Sequence, residues 1–287
     1  MSQTIIGIIG GSGLYDIKGL KNIQEKKIKT PFGAPSDAFI LGQLKDTTLV
    51  FLPRHGRGHV LSPSEINYRA NIFGMKKLGV QTLLSLSAVG SMKEEIKPGN
   101  VVIVDQFIDH TQGIRKHTFL EGGIVGHVSF AQPICGALAE CVYQATQKVT
   151  SRIHKGGTYL CMEGPQFSTR AESHLYRSWG VDVIGMTAIP EAKLAREAGL
   201  CYSTIAFSTD YDCWKEEEEA VSADKVLATI KKNVDTAKKI IQEVIPLLSS
   251  KNTCGCSQAL KCALVTDPAK VPAKLKKDLA PLLGKYL

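Results

Sequence analysis

Four short stretches concentrate residues that bind anions and move protons. The first, Gly10-Gly11-Ser12-Gly13, follows the apolar run Ile5–Ile9. Glycines at a strand end let backbone N–H groups approach an anion closely, and the Ser12 hydroxyl adds a donor. The same residues also make an ordinary tight turn, since they do not fit GxGxxG and no Walker lysine follows. The second, Pro53-Arg54-His55-Gly56-Arg57-Gly58-His59, sets arginine beside histidine after Thr48–Leu52. Two-pronged recognition of a phosphate uses such a guanidinium, although Arg57 reads equally well as solvated surface charge. The third, Ser85-Leu86-Ser87-Ala88-Val89-Gly90-Ser91, is a small, hydroxyl-rich turn at the end of Thr82–Ser87, a donor cluster or simply a close-packed one. The fourth, Ser208-Thr209-Asp210-Tyr211-Asp212, places two carboxylates after Ser203–Phe207. Carboxylates beside an anion site suit proton donation and acceptance, and the DxD spacing also suits a metal.

These stretches need a scaffold that brings them together. The apolar runs Ile5–Ile9, Thr48–Leu52, Thr82–Ser87, Val101–Val104, Val181–Ile184 and Ser203–Phe207 read as buried strands. Ser62-Pro63-Ser64-Glu65 and Thr169 with Glu172 carry the spacing of capping boxes, and Pro190–Gly199 is bracketed by start and stop residues. Val226, Ile230, Val234, Ala237, Ile241, Val244 and Leu248 recur at three- and four-residue steps, which predicts a long helix from Asp224 to Leu248. Strands alternating with helices imply an α/β fold whose mixed or parallel sheet is covered on both faces. In such a sheet parallel strands share one carboxyl edge, where the donor-rich turns converge.

The composition agrees with a globular protein. The chain has 287 residues, 44% of them apolar and 22% charged. This excludes a disordered or collagen-like chain, and no apolar run nears the roughly 18 residues of a membrane span. The start, Met1-Ser2-Gln3-Thr4, has no basic, cleavable leader, so a cytoplasmic location is expected. Of the net charge of +8, five units lie in residues 251–287, which hold seven lysines and two aspartates. That tail lacks interleaved aromatics, which argues against a nucleic-acid partner. The expected organisation is one domain over residues 1–250 and a basic, cysteine-containing extension over 251–287. Eight cysteines, at 135, 141, 161, 201, 213, 254, 256 and 262, read first as buried thiols. Cys254-Gly-Cys256 with Cys262 is open to a redox pair, a metal fragment or a disulfide set. No CxxC pair or flanking histidine supports zinc there, and no metal is assigned.

The ordered blocks GIIGGSGLYD, TPFG with PSD, PRHGRGH followed by INYRAN, SLSAVGS, DQFID, EGPQFSTRAES, DVIGMT with PEAKLAREAG, and STDYDCWKEEEEAVS cover most of residues 5–250. Together they resemble the S-methyl-5′-thioadenosine phosphorylases of the trimeric purine nucleoside phosphorylase superfamily. The resemblance implies a single-domain α/β fold with a central mixed sheet flanked by helices. It also implies phosphorolysis of 5′-methylthioadenosine, with inorganic phosphate as co-substrate and no cofactor. Phosphate binding falls to Ser12, Arg54, His55, Ser87, Ala88 and Thr187. Phe167 is placed against the purine, Met186 under the ribose, and Ser168, Ala223 and Val226 at positions that discriminate substrates. Asp210 and Asp212 become the acid pair selecting a 6-aminopurine, since 6-oxopurine phosphorylases carry asparagine where Asp210 stands. His127 and the C-terminal segment match parts that reach a neighbouring subunit's pocket, in a homotrimer or hexamer. The CxC tail is similar to that of archaeal members, which implies disulfides involving Cys254, Cys256 and Cys262, with Cys135 and Cys201 at further pairing positions. The alternatives are a broader purine nucleoside phosphorylase acting on adenosine or 6-oxopurine nucleosides, and a dinucleotide-binding protein that would use the glycine loop alone.

Overall fold

The computed structural model describes residues 4–11, 13–215, 223–248 and 254–287, with side chains in the long helix described from residue 233. Its strands are β1 (Thr4–Gly10), β2 (Lys21–Lys26), β3 (Phe39–Leu44), β4 (Thr47–Pro53), β5 (Thr82–Ser91), β6 (Val101–Ile103), β7 (Gln106–His110), β8 (Ile153–Lys155), β9 (Thr158–Met162), β10 (Val183–Gly185) and β11 (Cys201–Asp210). The helices are α1 (Tyr68–Lys77), α2 (Gly136–Val149), α3 (Arg170–Ser178), α4 (Ala188–Glu197), α5 (Ala223–Val244), α6 (Ala273–Asp278) and α7 (Ala280–Leu283). All the described strands join one mixed sheet, in the order β2-β3-β4-β1-β5-β10-β9-β7, with β11, β6 and β8 branching from β5.

Side chains alternate across the central strands, and both faces are covered. Ile6 and Ile8, Leu49 and Phe51, Leu84 and Leu86, and Ile205 and Phe207 point to one side, where α2 and α5 supply Leu138, Val142, Ile240 and Ile241. Ile9, Val50, Leu52 and Leu83 point to the other, against α1 and α4 with Ile72, Phe73, Ala192 and Leu194. Burial on both faces explains the unbroken apolar runs of β1 and β4. The C-terminal segment joins the second core through Leu260, Ala263, Val271, Leu279, Leu282 and Leu283. Its basic residues therefore ride on an apolar underside that packs with the rest of the chain.

Three local expectations change. The Ser85–Ser91 stretch is not a turn: β5 runs through Ser91, paired with β11 as far as Gly90 and with β10 at Gly90 and Ser91. Small residues permit this, because a Cβ on Gly90 would lie 3.0 Å from Asp210 Oδ1 and 3.1 Å from Ile184. Likewise β11 continues to Asp210. At Ser62–Glu65 only half of a capping box forms, the Ser62 N–H donating to Glu65 at 2.9 Å. The Ser64 hydroxyl is committed to Glu163, and the helix starts at Tyr68, capped by the Asn67 side chain. The Thr169–Glu172 box forms in full and opens α3.

Candidate active site

The strands carrying the sequence motifs lie side by side. β4 pairs with β1, β1 with β5, and β5 with β11, all parallel. Gly10, Pro53 and Asp210 therefore end three strands on one edge, the edge on which α/β sheets bind ligands. The Arg54 N–H donates to Gly10 O at 2.9 Å, tying the first two motifs together. β10 comes in antiparallel with Ile184 opposite Gly90, so the chain beyond it returns toward Ser87. There the Tyr159 hydroxyl meets the Ser87 hydroxyl at 3.2 Å and the Thr187 backbone. Gly185 is needed for this approach, since a Cβ would fall 2.0 Å from the Tyr159 oxygen. Ser87 and Thr187 are thus brought to one seam, with Ala88 next to Ser87 on β5.

Arg54 is buried, with 3% of its surface exposed. Its Nε and Nη2 donate to the two carboxylate oxygens of Glu191 at 2.8 and 3.1 Å, Nη1 donates to Leu86 O at 2.9 Å, and Nη2 to Ser85 Oγ at 2.7 Å. Nη2 also approaches Ile9 O at 3.4 Å, and among the described residues one of the five guanidinium hydrogens, on Nη1, has no protein acceptor. Ser85 and Tyr202 also donate to Glu191, at 2.5 and 3.0 Å. The Arg54 charge is therefore balanced by a carboxylate 137 residues away, a residue of the PEAKLAREAG block to which the sequence reading gave no role.

His55, next in the chain, is held through its own ring. Its Nδ1 lies 2.8 Å from Leu61 O, which can only accept, so Nδ1 carries the proton and Nε2 the lone pair. Burial pushes the imidazole pKa down to about 4, with His59 and Arg54 adding to the effect. The two histidine rings stack, centroids 4.0 Å apart. At neutral pH the anion corner thus holds one balanced arginine, a neutral imidazole and a set of neutral donors. Arg57 turns away, pairing with Glu25 at 2.6 Å and Asp37 at 2.9 Å on the surface.

The two aspartates meet at the end of β11. Asp210 Oδ1 accepts the Asp212 N–H at 2.8 Å, and Oδ2 accepts the Thr209 hydroxyl at 2.6 Å. Asp212 is buried and has a left-handed backbone, φ 54°. Burial raises its carboxyl pKa, opposed by the hydroxyl of Ser173, which donates at 2.5 Å.

Of the residues the resemblance assigns to the nucleoside, Ser168 is the one whose contacts reach this pair among the described residues. Ser168 sits beside Asp212, and its carbonyl accepts the Cys213 thiol at 3.2 Å. Met186 is half-buried and lies over Gly164, where a Cβ would be 2.5 Å from its sulfur. Arg115, buried and unremarked in the sequence, holds the Met186 carbonyl at 2.6 Å, the Ile189 carbonyl at 2.9 Å and the Glu163 carboxylate at 3.0 Å. Phe167 is 47% exposed in the single chain. His127 is exposed too, its N–H donating to Ala263 O of the C-terminal segment at 2.8 Å. Ser12 and the side chains of Ala223 and Val226 lie outside the described residues.

No disulfide joins any of the eight cysteines in this structure. Cys135, Cys201, Cys254 and Cys256 nevertheless come together, their sulfurs all within 4.8 Å of one another, while Cys262 is exposed.

Residues 5–246 match the model of the phosphorylase superfamily. The chain is 55% identical to an S-methyl-5′-thioadenosine phosphorylase of Geobacter sulfurreducens, over 99% of this chain and 100% of that one. It is 47% identical to one of Thermofilum pendens, over 92% and 100%. A crystal structure of a methylthioadenosine phosphorylase from an antarctic soil metagenomic library superposes with a TM-score of 0.93, at 48% identity, covering 98% of this chain and 100% of that one. The adenosine/methylthioadenosine phosphorylase of Schistosoma mansoni, as a mutant in complex with methylthioadenosine, superposes with a TM-score of 0.82 at 36% identity, over 90% and 96%. Within the superfamily, the chain belongs to the S-methyl-5′-thioadenosine phosphorylase family.

Proposed function

We propose that the protein cleaves 5′-methylthioadenosine with inorganic phosphate, giving adenine and 5-methylthioribose 1-phosphate. The observation that carries this reading is the Asp210–Asp212 pair standing at the same sheet edge as the donors around Ser87 and Thr187. Phosphate is held by the Nη1 side of Arg54, by the Ser12, Ser87 and Thr187 hydroxyls and by the Ala88 N–H, and His55 Nε2 accepts the proton of a monohydrogen phosphate. As the C1′–N9 bond stretches, a phosphate oxygen forms the new bond to C1′ while the bonding pair leaves with the base. The anion faces the positive charge that develops on the ribosyl ring, an electrostatic gain available only as the bond breaks. Asp210 accepts from the 6-amino group and, when protonated, gives its proton to N7, so that the base leaves neutral. The Asp212 N–H and the Thr209 hydroxyl fix that carboxyl in place. No metal or cofactor enters the reaction.

The assembly that suits this site is a homotrimer or a hexamer in the cytoplasm, working in purine and methionine salvage. Exposed Phe167, Leu175 and Trp179 give the single chain apolar surface near α3 that a neighbouring subunit would cover, and His127 stands on a loop tied to the tail. Light scattering distinguishes the two assemblies at three and six times the chain mass. The reaction itself is tested by following adenine release with and without phosphate. Release should require phosphate; equal turnover in phosphate-free buffer would make the protein a hydrolase.

A further inference from the structure

We propose that Cys135, Cys201, Cys254 and Cys256 form a structural tetrathiolate site for a zinc ion, which clamps the C-terminal segment to the core. The four come from three separate parts of the fold. Cys135 is the residue before α2, Cys201 begins β11, and Cys254 and Cys256 open the tail. Their sulfurs lie within 4.8 Å of one another, and Cys201 Sγ and Cys254 Sγ are 3.1 Å apart. A tetrahedral zinc with Zn–S bonds of about 2.3 Å sets its sulfurs about 3.8 Å apart, inside that range. A disulfide needs about 2.05 Å and joins sulfurs two at a time, whereas these four are mutual neighbours.

The backbone holds the cluster in place. The Cys135 N–H donates to Tyr202 O at 2.9 Å and the Cys201 N–H to Gln81 O at 2.9 Å, so these two ligands are positioned by the sheet. The tail residues sit in a short turn closed by Ala259 N–H to Cys256 O at 3.1 Å. That turn passes over Gly199, where a Cβ would be 3.4 Å from Cys256 O. Cys135 and Cys256 are buried at 4% and 5% exposure within the apolar core beside α2 and α5. An all-sulfur, closed set of four ligands is the donor type of structural zinc, with no open position for chemistry. Binding would release the thiol protons to solvent as the thiolates coordinate. Residue by residue along β11, Cys201 and Asp210 stand about 30 Å apart at opposite ends of the strand. The site therefore anchors the tail at the far end of β11 from the acid pair of the same chain.

The test is metal analysis of the full-length protein purified reduced, without chelator, alongside mass spectrometry under denaturing, non-reducing conditions. About one zinc per chain and eight alkylatable thiols are expected. Cys254→Ser with Cys256→Ser should lose the zinc and lower the thermal midpoint, and Cys262→Ser should keep both zinc and stability. Cobalt(II) added to the metal-free protein should give the visible bands of a tetrahedral thiolate site, a readout that does not depend on the variants folding. Zinc below about a tenth of the chain concentration with no cobalt bands, zinc retained by the double variant, or a mass lowered by disulfide formation among these four each overturns the proposal.

Discussion

Replacing Glu191 by glutamine tests how the anion corner is balanced. In the native chain the carboxylate accepts from Arg54 Nε and Nη2, Ser85 Oγ and Tyr202 Oη, between 2.5 and 3.1 Å. Glutamine retains one acceptor oxygen but places an NH2 group against the Arg54 Nε–H or against the Ser85 and Tyr202 donors. Either way donors face donors, and a guanidinium with 3% exposure loses its counter-charge. Breaking a buried pair in this way costs about 3–5 kcal/mol, against about 0–1 kcal/mol for an exposed one. The unbalanced Arg54 should then bind phosphate more tightly, so that the ligand restores part of the loss. At 100 times its Kd, phosphate adds about 2.7 kcal/mol to any native state that binds it, and the variant should gain more than the parent at equal phosphate. Denaturant titrations with and without phosphate, together with KM for phosphate, measure all three quantities. A Glu191→Gln protein as stable as the parent, with unchanged phosphate KM, would refute the argument that Glu191 offsets the Arg54 charge.

Other outcomes follow from the acid pair and the buried histidine. Asp210→Asn should lower turnover of 6-aminopurine nucleosides by about 10²-fold or more and admit 6-oxopurine substrates, measured by base release from methylthioadenosine and inosine; a variant still selective for the 6-amino purine would sink the assigned role. Asp212 has its pKa raised by burial, so the native state binds more protons than the unfolded chain above the unfolded value, and stability falls as pH rises toward the raised one. Asp212→Asn keeps an oxygen for the Ser173 hydroxyl and should be at least as stable as the parent at pH 7 while losing activity; a large loss of midpoint contradicts this. His55 behaves in the opposite sense. Its pKa is lowered to about 4, so its neutral form supports the fold fully above about pH 6.5, and that support disappears as pH falls toward 4. At about 1.4 kcal/mol per unit, the parent should lose about 2 kcal/mol more than His55→Gln between pH 6.5 and 5 in denaturant titrations; parallel curves would show that His55 is not buried neutral.

What the sequence determined by itself was whatever depends on near neighbours. The Thr169–Glu172 cap, the periodic face of α5 and the apolar runs of β1, β4 and β11 are patterns of spacing two, three or four, set by backbone geometry within one element. The ordered motif blocks belong to the same class, and they pointed to the fold and the family. Tertiary structure alone decided the rest. β2, exposed at all six residues, has no apolar pattern to read, and it forms because β3 offers an edge. β5 extends through a stretch that looks like a turn because β10 arrives to pair with it. Glu191 is separated from Arg54 by 137 residues, and whether Arg54 is a free cation or half of a neutral pair depends on that distant partner. Four cysteines spread from 135 to 256 become one cluster only when the tail folds back onto the start of β11. Charge balance and ligand geometry are properties of distances in space, and spacing along a chain does not encode them.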